Sequence, residues 1–232
     1  MGTTSIIFKR SINLSKTYLL IGAFMGFMAI MMSVLGFITP GEAAGEIPID
    51  MQTYFSTFFI GLASMTAVLI ATPVLLLFVY DKNNGVLEYL LSVGMTQSTL
   101  FRSYLQAALA LAGIILAAEV IGNAILTVFL GGSTALLPTI AALTIVLGLS
   151  AVAFTTVLMM AFSSLQKQRV GANQPLGIGL GVVLILPSFF LPSIFPQYAT
   201  IVVLVNAVIV VVLGLVMFLL AGQLVKRAKL LP

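Results

Sequence analysis

The chain contains no cysteine and no histidine among its 232 residues. Without cysteine there is no disulfide framework and no thiolate chemistry. Without histidine the usual general base and the commonest metal ligand are missing, which excludes a metalloprotease built on a His-Glu-x-x-His sequence. The phosphate-binding pattern Gly-x-x-x-x-Gly-Lys-Ser/Thr does not occur either. The sequence therefore predicts a chain that is not itself an enzyme and has no catalytic, metal-binding or cofactor-binding residues.

Charge is also scarce. Only 7% of the residues are charged, whereas 61% are hydrophobic. A soluble domain carries about 25% charged residues. The gap indicates an integral membrane protein with the lipid bilayer as its surroundings. The net charge of +4 does not indicate nucleic-acid binding, because the basic residues stand in small groups between apolar runs. These groups bear on membrane topology instead.

Six apolar runs make up most of the chain, and each is long enough to cross about 30 Å of hydrocarbon as a helix. The sequence predicts membrane spans at about 18–38, 54–80, 104–130, 138–163, 176–195 and 199–225. The fifth run is the least regular, because Pro187, Pro192 and Pro196 fall at or beyond its end. A short span followed by a re-entrant hairpin over 187–198 is the alternative for this region. The fold class predicted is all-α, a single transmembrane domain over residues 1–232.

The basic residues fix a predicted orientation. If the N-terminus is cytoplasmic, the six-span layout places every basic residue on the inner side and none outside, as the positive-inside rule expects. The charged residues of the first outer loop are all acidic, namely Glu42, Glu46 and Asp50. Both termini are therefore predicted to be cytoplasmic. The inner residues are Lys9, Arg10, Lys16, Lys82, Arg102, Lys167, Arg169, Lys226, Arg227 and Lys229.

The N-terminal stretch 3–16 is patterned like a basic amphipathic helix. Ile7, Phe8 and Ile12 fall on one side of a helical wheel, whereas Lys9 and Arg10 fall on the other. Such a helix lies flat in the membrane interface. The alternative is a positively charged flank that only orients the first span.

Segment 81–103 is the longest polar interruption, and it holds four of the sixteen charged residues. Asn83-Asn84 and Gly94 mark the start and stop of a short helix between them. This helix has an apolar face that a groove on a partner protein could receive, with Glu88 on the polar side. Resting on lipid is the alternative, and composition leaves both open. The apolar face comprises Val86, Leu87, Leu90, Leu91 and Val93.

The pattern Asp81-x-x-x-Gly85-x-x-Glu88-x-Leu90-Leu91, followed by the third span, resembles the cytoplasmic loop of type-2, export-class permeases of ATP-binding-cassette transporters. In that family an acid, a glycine, a threonine-like residue, a glutamate and paired leucines form a coupling helix. This sequence departs from the family in having Asp81 where glutamate is usual and Val86 where threonine or serine is usual.

The resemblance implies the membrane-spanning subunit of an exporter in a prokaryotic plasma membrane. It implies two partners, a second permease copy, identical or related, and a separate ATPase subunit that holds ATP and Mg²⁺. The residues to which it assigns coupling to the ATPase are Asp81, Gly85, Leu87, Glu88, Leu90 and Leu91.

Glu119 stands in the middle of the third apolar run, with Asn123 one turn further on the same helix face. A charge at that depth costs several kcal/mol, so the carboxyl should face protein or water, or carry a proton. Both residues form a candidate intramembrane polar site. One alternative function is an ion-gradient-driven carrier or channel that uses Glu119, although no clear inverted repeat supports it. Another is a membrane scaffold without transport activity.

Overall fold

The computed structural model describes residues 3–14, 16–38, 51–131, 134–165 and 174–224. Within these ranges every regular element is a helix, and no strand occurs. The prediction of an all-α fold is therefore confirmed. The helices are α1 (Thr3–Leu14), α2 (Lys16–Ile38), α3 (Met51–Asn83), α4 (Val86–Ser92), α5 (Gln97–Phe129), α6 (Leu137–Leu165), α7 (Gln174–Ile194) and α8 (Ala199–Leu224), with a 3-10 turn at Pro196–Tyr198 before α8.

Five of the described helices are long and apolar enough to cross a membrane, which matches a multi-pass membrane protein. In α7 the apolar stretch Gly179–Ile194 is shorter than these five. The sixth span therefore stays a prediction. The five candidate spans are Thr17–Gly36, Tyr54–Asn83, Gln97–Phe129, Leu137–Ala161 and Pro196–Leu220.

Helix α3 is the central helix of the bundle. It packs against α2, α5, α6 and α7, and 78% of its apolar stretch is buried, against 28% for α2, α5 and α8. Phe59, Ile70 and Leu77 are among its fully buried side chains. Helices α2, α5 and α8 thus leave most of their apolar stretches outside, as expected for helices whose outer faces contact lipid, whereas 50% of the apolar stretch of α6 is buried.

Glycines allow neighbouring helices to approach closely. A Cβ added at Gly22 of α2 would collide with Ile70 of α3. A Cβ added at Gly148 of α6 would stand 2.8 Å from Leu116 of α5. Small residues at such contacts are typical of membrane helix packing, where close backbone approach replaces the hydrophobic driving force.

The proline-containing helix α7 is continuous through Pro187 and Pro192 up to Ile194, so the alternative of a re-entrant hairpin is not what the structure has. Asn206 of α8 donates to the carbonyl of Leu184 at 3.0 Å and to Ser188 Oγ at 2.7 Å. These two hydrogen bonds tie α8 to the proline-containing part of α7.

Helix α1 packs against α3 and α5. Ile7 is buried, and Phe8 and Ile12 pack against the core, whereas Ile6 is exposed. The apolar face of α1 therefore lies on the protein itself. Because α1 contacts the end of α3 and the beginning of α5, it lies at the same end of the bundle as α4. Its position in a membrane interface stays a prediction.

Candidate functional site

The connection from α3 to α4 consists of Asn84 and Gly85. The N–H of Asn84 donates to the carbonyl of Tyr80 at 3.0 Å, and that of Gly85 donates to Lys82 at 3.2 Å. Gly85 has φ of 71°, in the left-handed region that costs a side-chain-bearing residue energy. This glycine ends α3 and is also the N-cap of α4. The chain can therefore change direction within two residues.

The other end of α4 is closed by a Schellman motif. The N–H of Gly94 donates to the carbonyl of Leu91, and that of Met95 donates to Leu90, both at 3.1 Å. Thr96 then caps α5, because its Oγ1 accepts from the N–H of Thr99 at 3.2 Å. The C-terminal end of α4 is thus closed by hydrogen bonds, whereas Gly85 at its N-terminus provides no side-chain cap.

The two sides of α4 have different surroundings. Leu87 is only 2% exposed and belongs to the core of the chain, and Leu91 packs partly against that core. Tyr89 and Val93 are 67% and 66% exposed. These two lie on one face, since they are four residues apart. Leu87 is therefore not accessible to a groove on a partner, which is one of the two alternatives for the apolar face, whereas Leu91 is partly buried. They anchor α4 to its own chain, and Tyr89 and Val93 face outward.

The remaining predicted coupling residues of α4 lie close to its surface. Leu90 is half-buried. Glu88 is half-buried in the first turn, and its Oε2 points back toward Gly85. A negative charge in the first turn of a helix is favoured by the helix dipole. Glu88 forms no ion pair with any residue in the described ranges, so its carboxylate is available to a basic group outside the chain.

Asp81 lies in the last turn of α3 and is fully buried. Arg10 of α1 donates from Nη2 to Oδ1 at 2.8 Å and from Nη1 to Oδ2 at 3.1 Å. The hydroxyl of Tyr104 in α5 donates to Oδ2 at 2.5 Å. The structure thus groups Asp81 with Arg10 and Tyr104, and separates it from the exposed face of α4. Asp81 offers no surface to a docked protein, so any coupling role must act through this cluster.

Sequence reasoning missed Arg10 and Tyr104 as members of this site. Tyr104 stands at the beginning of the third predicted span, where it is only 1% exposed and packs edge-on against Phe78 with ring centroids 5.1 Å apart. Neither residue carries a signal in the sequence that would pair it with Asp81, because the contacts span 71 and 23 positions.

Glu119 and Asn123 are both buried, at 4% and 3% exposure, on the same face of α5. Gly26 of α2 lies against the carboxyl, and a Cβ there would collide with Glu119 Oε1. Neither carboxyl oxygen of Glu119 has a hydrogen-bond partner in the part of the chain that the structure describes. The Thr66 hydroxyl of α3 lies nearby but donates to the carbonyl of Leu62 at 2.9 Å. Both residues of the predicted polar site are therefore buried on one face of α5, but no hydrogen bond joins the carboxyl of Glu119 to Asn123.

Among the described residues no cluster of three or more histidine, cysteine, aspartate or glutamate side chains could hold a metal ion. Comparisons with protein-family models, with curated proteins and with solved structures give no match for this chain. The geometry around α4 and the resemblance of segment 81–91 are therefore the features that indicate a function.

Proposed function

We propose that the chain is the permease subunit of an ATP-binding-cassette exporter. It forms the translocation path together with a second permease copy, identical or related, and a separate ATPase subunit drives it. ATP and Mg²⁺ bind to that ATPase. The proposal includes six spans, formed by α2, α3 and α5 to α8, in a prokaryotic plasma membrane. Both termini are cytoplasmic in this arrangement.

The observation that carries the proposal is the construction of α4. A helix of seven residues joins the central helix α3 to α5, ends in a Schellman motif, is anchored inward by Leu87, and exposes Tyr89 and Val93. Only two residues connect α4 to α3, and four connect it to α5. We therefore expect a partner that displaces α4 to displace the ends of both long helices. Movement of rigid helices about an interface is a common way to switch a protein between two states.

The charges near α4 support a cytoplasmic position for it. Lys9 and Arg10 of α1 lie at the same end of the bundle as Lys82 and Arg102, which flank the α4 segment. Clusters of basic residues mark the cytoplasmic side of membrane proteins. An ATPase that binds cytoplasmic ATP has to dock on this side.

Co-purification tests the proposal directly. If a neighbouring gene encodes an ATPase with the Gly-x-x-x-x-Gly-Lys-Ser/Thr pattern, the chain is co-expressed with that ATPase, and the complex is isolated through a tag on the chain. An aromatic side chain at the centre of an interface contributes about 2 kcal/mol or more to binding. We therefore expect Tyr89→Ala to weaken ATPase binding roughly thirtyfold, and Glu88→Arg to weaken it through charge reversal. The matched control is Tyr198→Ala, a tyrosine of similar exposure at the opposite end of the bundle.

Unchanged amounts of bound ATPase in both α4 variants would contradict the docking role of α4. Transport by the chain alone in liposomes, without nucleotide, would contradict the whole proposal.

A second candidate function is an ion-gradient-driven carrier, favoured by the buried carboxyl of Glu119 that has no partner in the described ranges. Intramembrane acids of this kind often belong to ion or proton pathways. The test uses liposomes with the chain alone, an imposed proton gradient and an internal pH dye. Proton uptake that Glu119→Gln abolishes would favour this candidate over the first.

A further inference from the structure

An ionic cluster surrounds the buried carboxylate of Asp81, four residues before Gly85, and the partly exposed Arg10 lies at its edge. Asp81 of α3 receives hydrogen bonds from Arg10 of α1 and Tyr104 of α5, so three helices meet at one carboxylate. We call these three residues the junction. Its members are far apart in the sequence, and no other described ion pair joins two helices.

The contacts within the junction are specific. The two terminal nitrogens of the Arg10 guanidinium, Nη1 and Nη2, each donate to a different oxygen of Asp81. This bidentate geometry is one that lysine cannot reproduce. Both oxygens of Asp81 accept hydrogen bonds, and Tyr104 is fixed by its ring contact with Phe78. A buried polar network whose members are all satisfied rigidifies the structure around it and fixes one arrangement.

Apart from the junction, α1 is held mainly by the packing of Ile7, Phe8 and Ile12 against the core. The helix has 12 residues, and isolated helices shorter than about 12–15 residues are marginal in water. Its buried side chains are Ile7 and Ser11. At its N-terminal end the hydroxyl of Thr4 donates to Gln106 Oε1 at 3.1 Å, in an exposed contact. Removing Arg10, whose own side chain is 41% exposed, leaves the fully buried carboxylate of Asp81 without its counter-ion, which is destabilising. The junction therefore adds a polar hold on α1 to its apolar packing.

We propose that the Arg10–Asp81–Tyr104 junction fixes α1 to the end of α3 and the beginning of α5, so that the three helices move as one body when α4 is displaced. Arg10 and Tyr104 are positioning residues in this arrangement. That α1 is fixed follows from the contacts alone. That motion passes from α4 to the three helices rests on the proposed function.

The first experiment measures whether α1 is fixed. The chain has no cysteine, so Thr4→Cys with Gln106→Cys gives one unique thiol pair across the α1–α5 contact. The purified chain in lipid nanodiscs is treated with a short bis-thiosulfonate crosslinker, and the rate of crosslinking is followed by intact mass. We expect Arg10→Gln to slow crosslinking at least about tenfold. Arg10→Lys, which keeps the charge and loses the fork, gives an intermediate rate.

Two neighbouring residues supply matched controls. Lys9→Gln removes an exposed positive charge of α1, and Tyr80→Phe removes a hydroxyl from a half-exposed tyrosine of α3. Both should crosslink at the rate of the parent pair, whereas Tyr104→Phe should be slower. If Arg10→Gln and Tyr104→Phe crosslink as fast as their controls, α1 is held without the junction and the inference is wrong.

The second experiment asks whether α1 moves with the bundle. ATP hydrolysis by the complex with the co-purified ATPase is measured before and after crosslinking of the parent thiol pair. Because α1 stays in place, we expect a change of less than about twofold. Loss of turnover on crosslinking would show that α1 must separate from α5 during the cycle, which contradicts movement as one body. If no ATPase binds the parent chain, the proposed function fails, while the result of the first experiment stands.

Discussion

Leu87 and Tyr89 lie on opposite sides of α4, so their replacement by alanine should have different consequences. Leu87 is 2% exposed, and truncating a buried leucine costs about 2–5 kcal/mol. Because α4 lies at one end of the bundle, where neighbouring groups can relax, we take the lower limit of about 2 kcal/mol. This increases the population of detached α4 roughly thirtyfold. Tyr89 is 67% exposed, and its truncation should change that population by no more than about twofold.

Hydrogen exchange measures both effects in the same peptide. The amides of Tyr89 and Val93 donate to the carbonyls of Gly85 and Tyr89 at 3.0 and 3.1 Å, so their exchange reports the opening of α4. We expect Leu87→Ala to accelerate exchange roughly thirtyfold and Tyr89→Ala to leave it nearly unchanged. Equal acceleration in the two variants would refute the assignment of an inward and an outward side to α4.

Three further substitutions test other contacts. Gly85→Ala should cost about 1–2 kcal/mol because its φ of 71° disfavours a side chain, and faster exchange in α4 would reveal this. Gly26→Ala should lower the melting temperature, because its methyl group collides with Glu119 and overpacking costs about 1–3 kcal/mol. Gly113→Ala is the control, with open space around it. Asn206→Leu should lower the melting temperature by an amount equivalent to about 0.6–1.7 kcal/mol, because two hydrogen bonds to α7 are lost.

The helices themselves could be predicted from the sequence, because each is either a long apolar run or an amphipathic stretch with recognisable ends. The predicted helix at 3–16 corresponds to α1, Thr3–Leu14, and the short helix of the 81–103 segment corresponds to α4, Val86–Ser92. The ends were less predictable. Helix α5 begins at Gln97, seven residues before the predicted third span, because Thr96 caps a polar first turn that hydropathy does not register.

The contacts of the site could not be predicted, because they depend on which side of each helix meets another helix. The pattern of α4 alone predicts that Leu87 and Val93 belong to one apolar face. Only the packing of α4 in the folded chain shows that Leu87 is buried and Val93 is exposed. The same holds for Asp81. Its place in the local pattern indicates a coupling residue, whereas Arg10 and Tyr104 reach it from distant parts of the chain. The resemblance to a permease, the membrane orientation and the partners stay predictions.

The two-residue connection before α4 limits how far that helix can travel. Asn84 and Gly85 together span about 7 Å when fully extended. Any larger excursion of α4 would have to unwind the last turn of α3, where Asp81 is bound from two sides. If α4 is displaced as the proposed function requires, a displacement beyond the reach of this connection would either tilt α3 as a whole or break the contacts of Asp81 that hold α1.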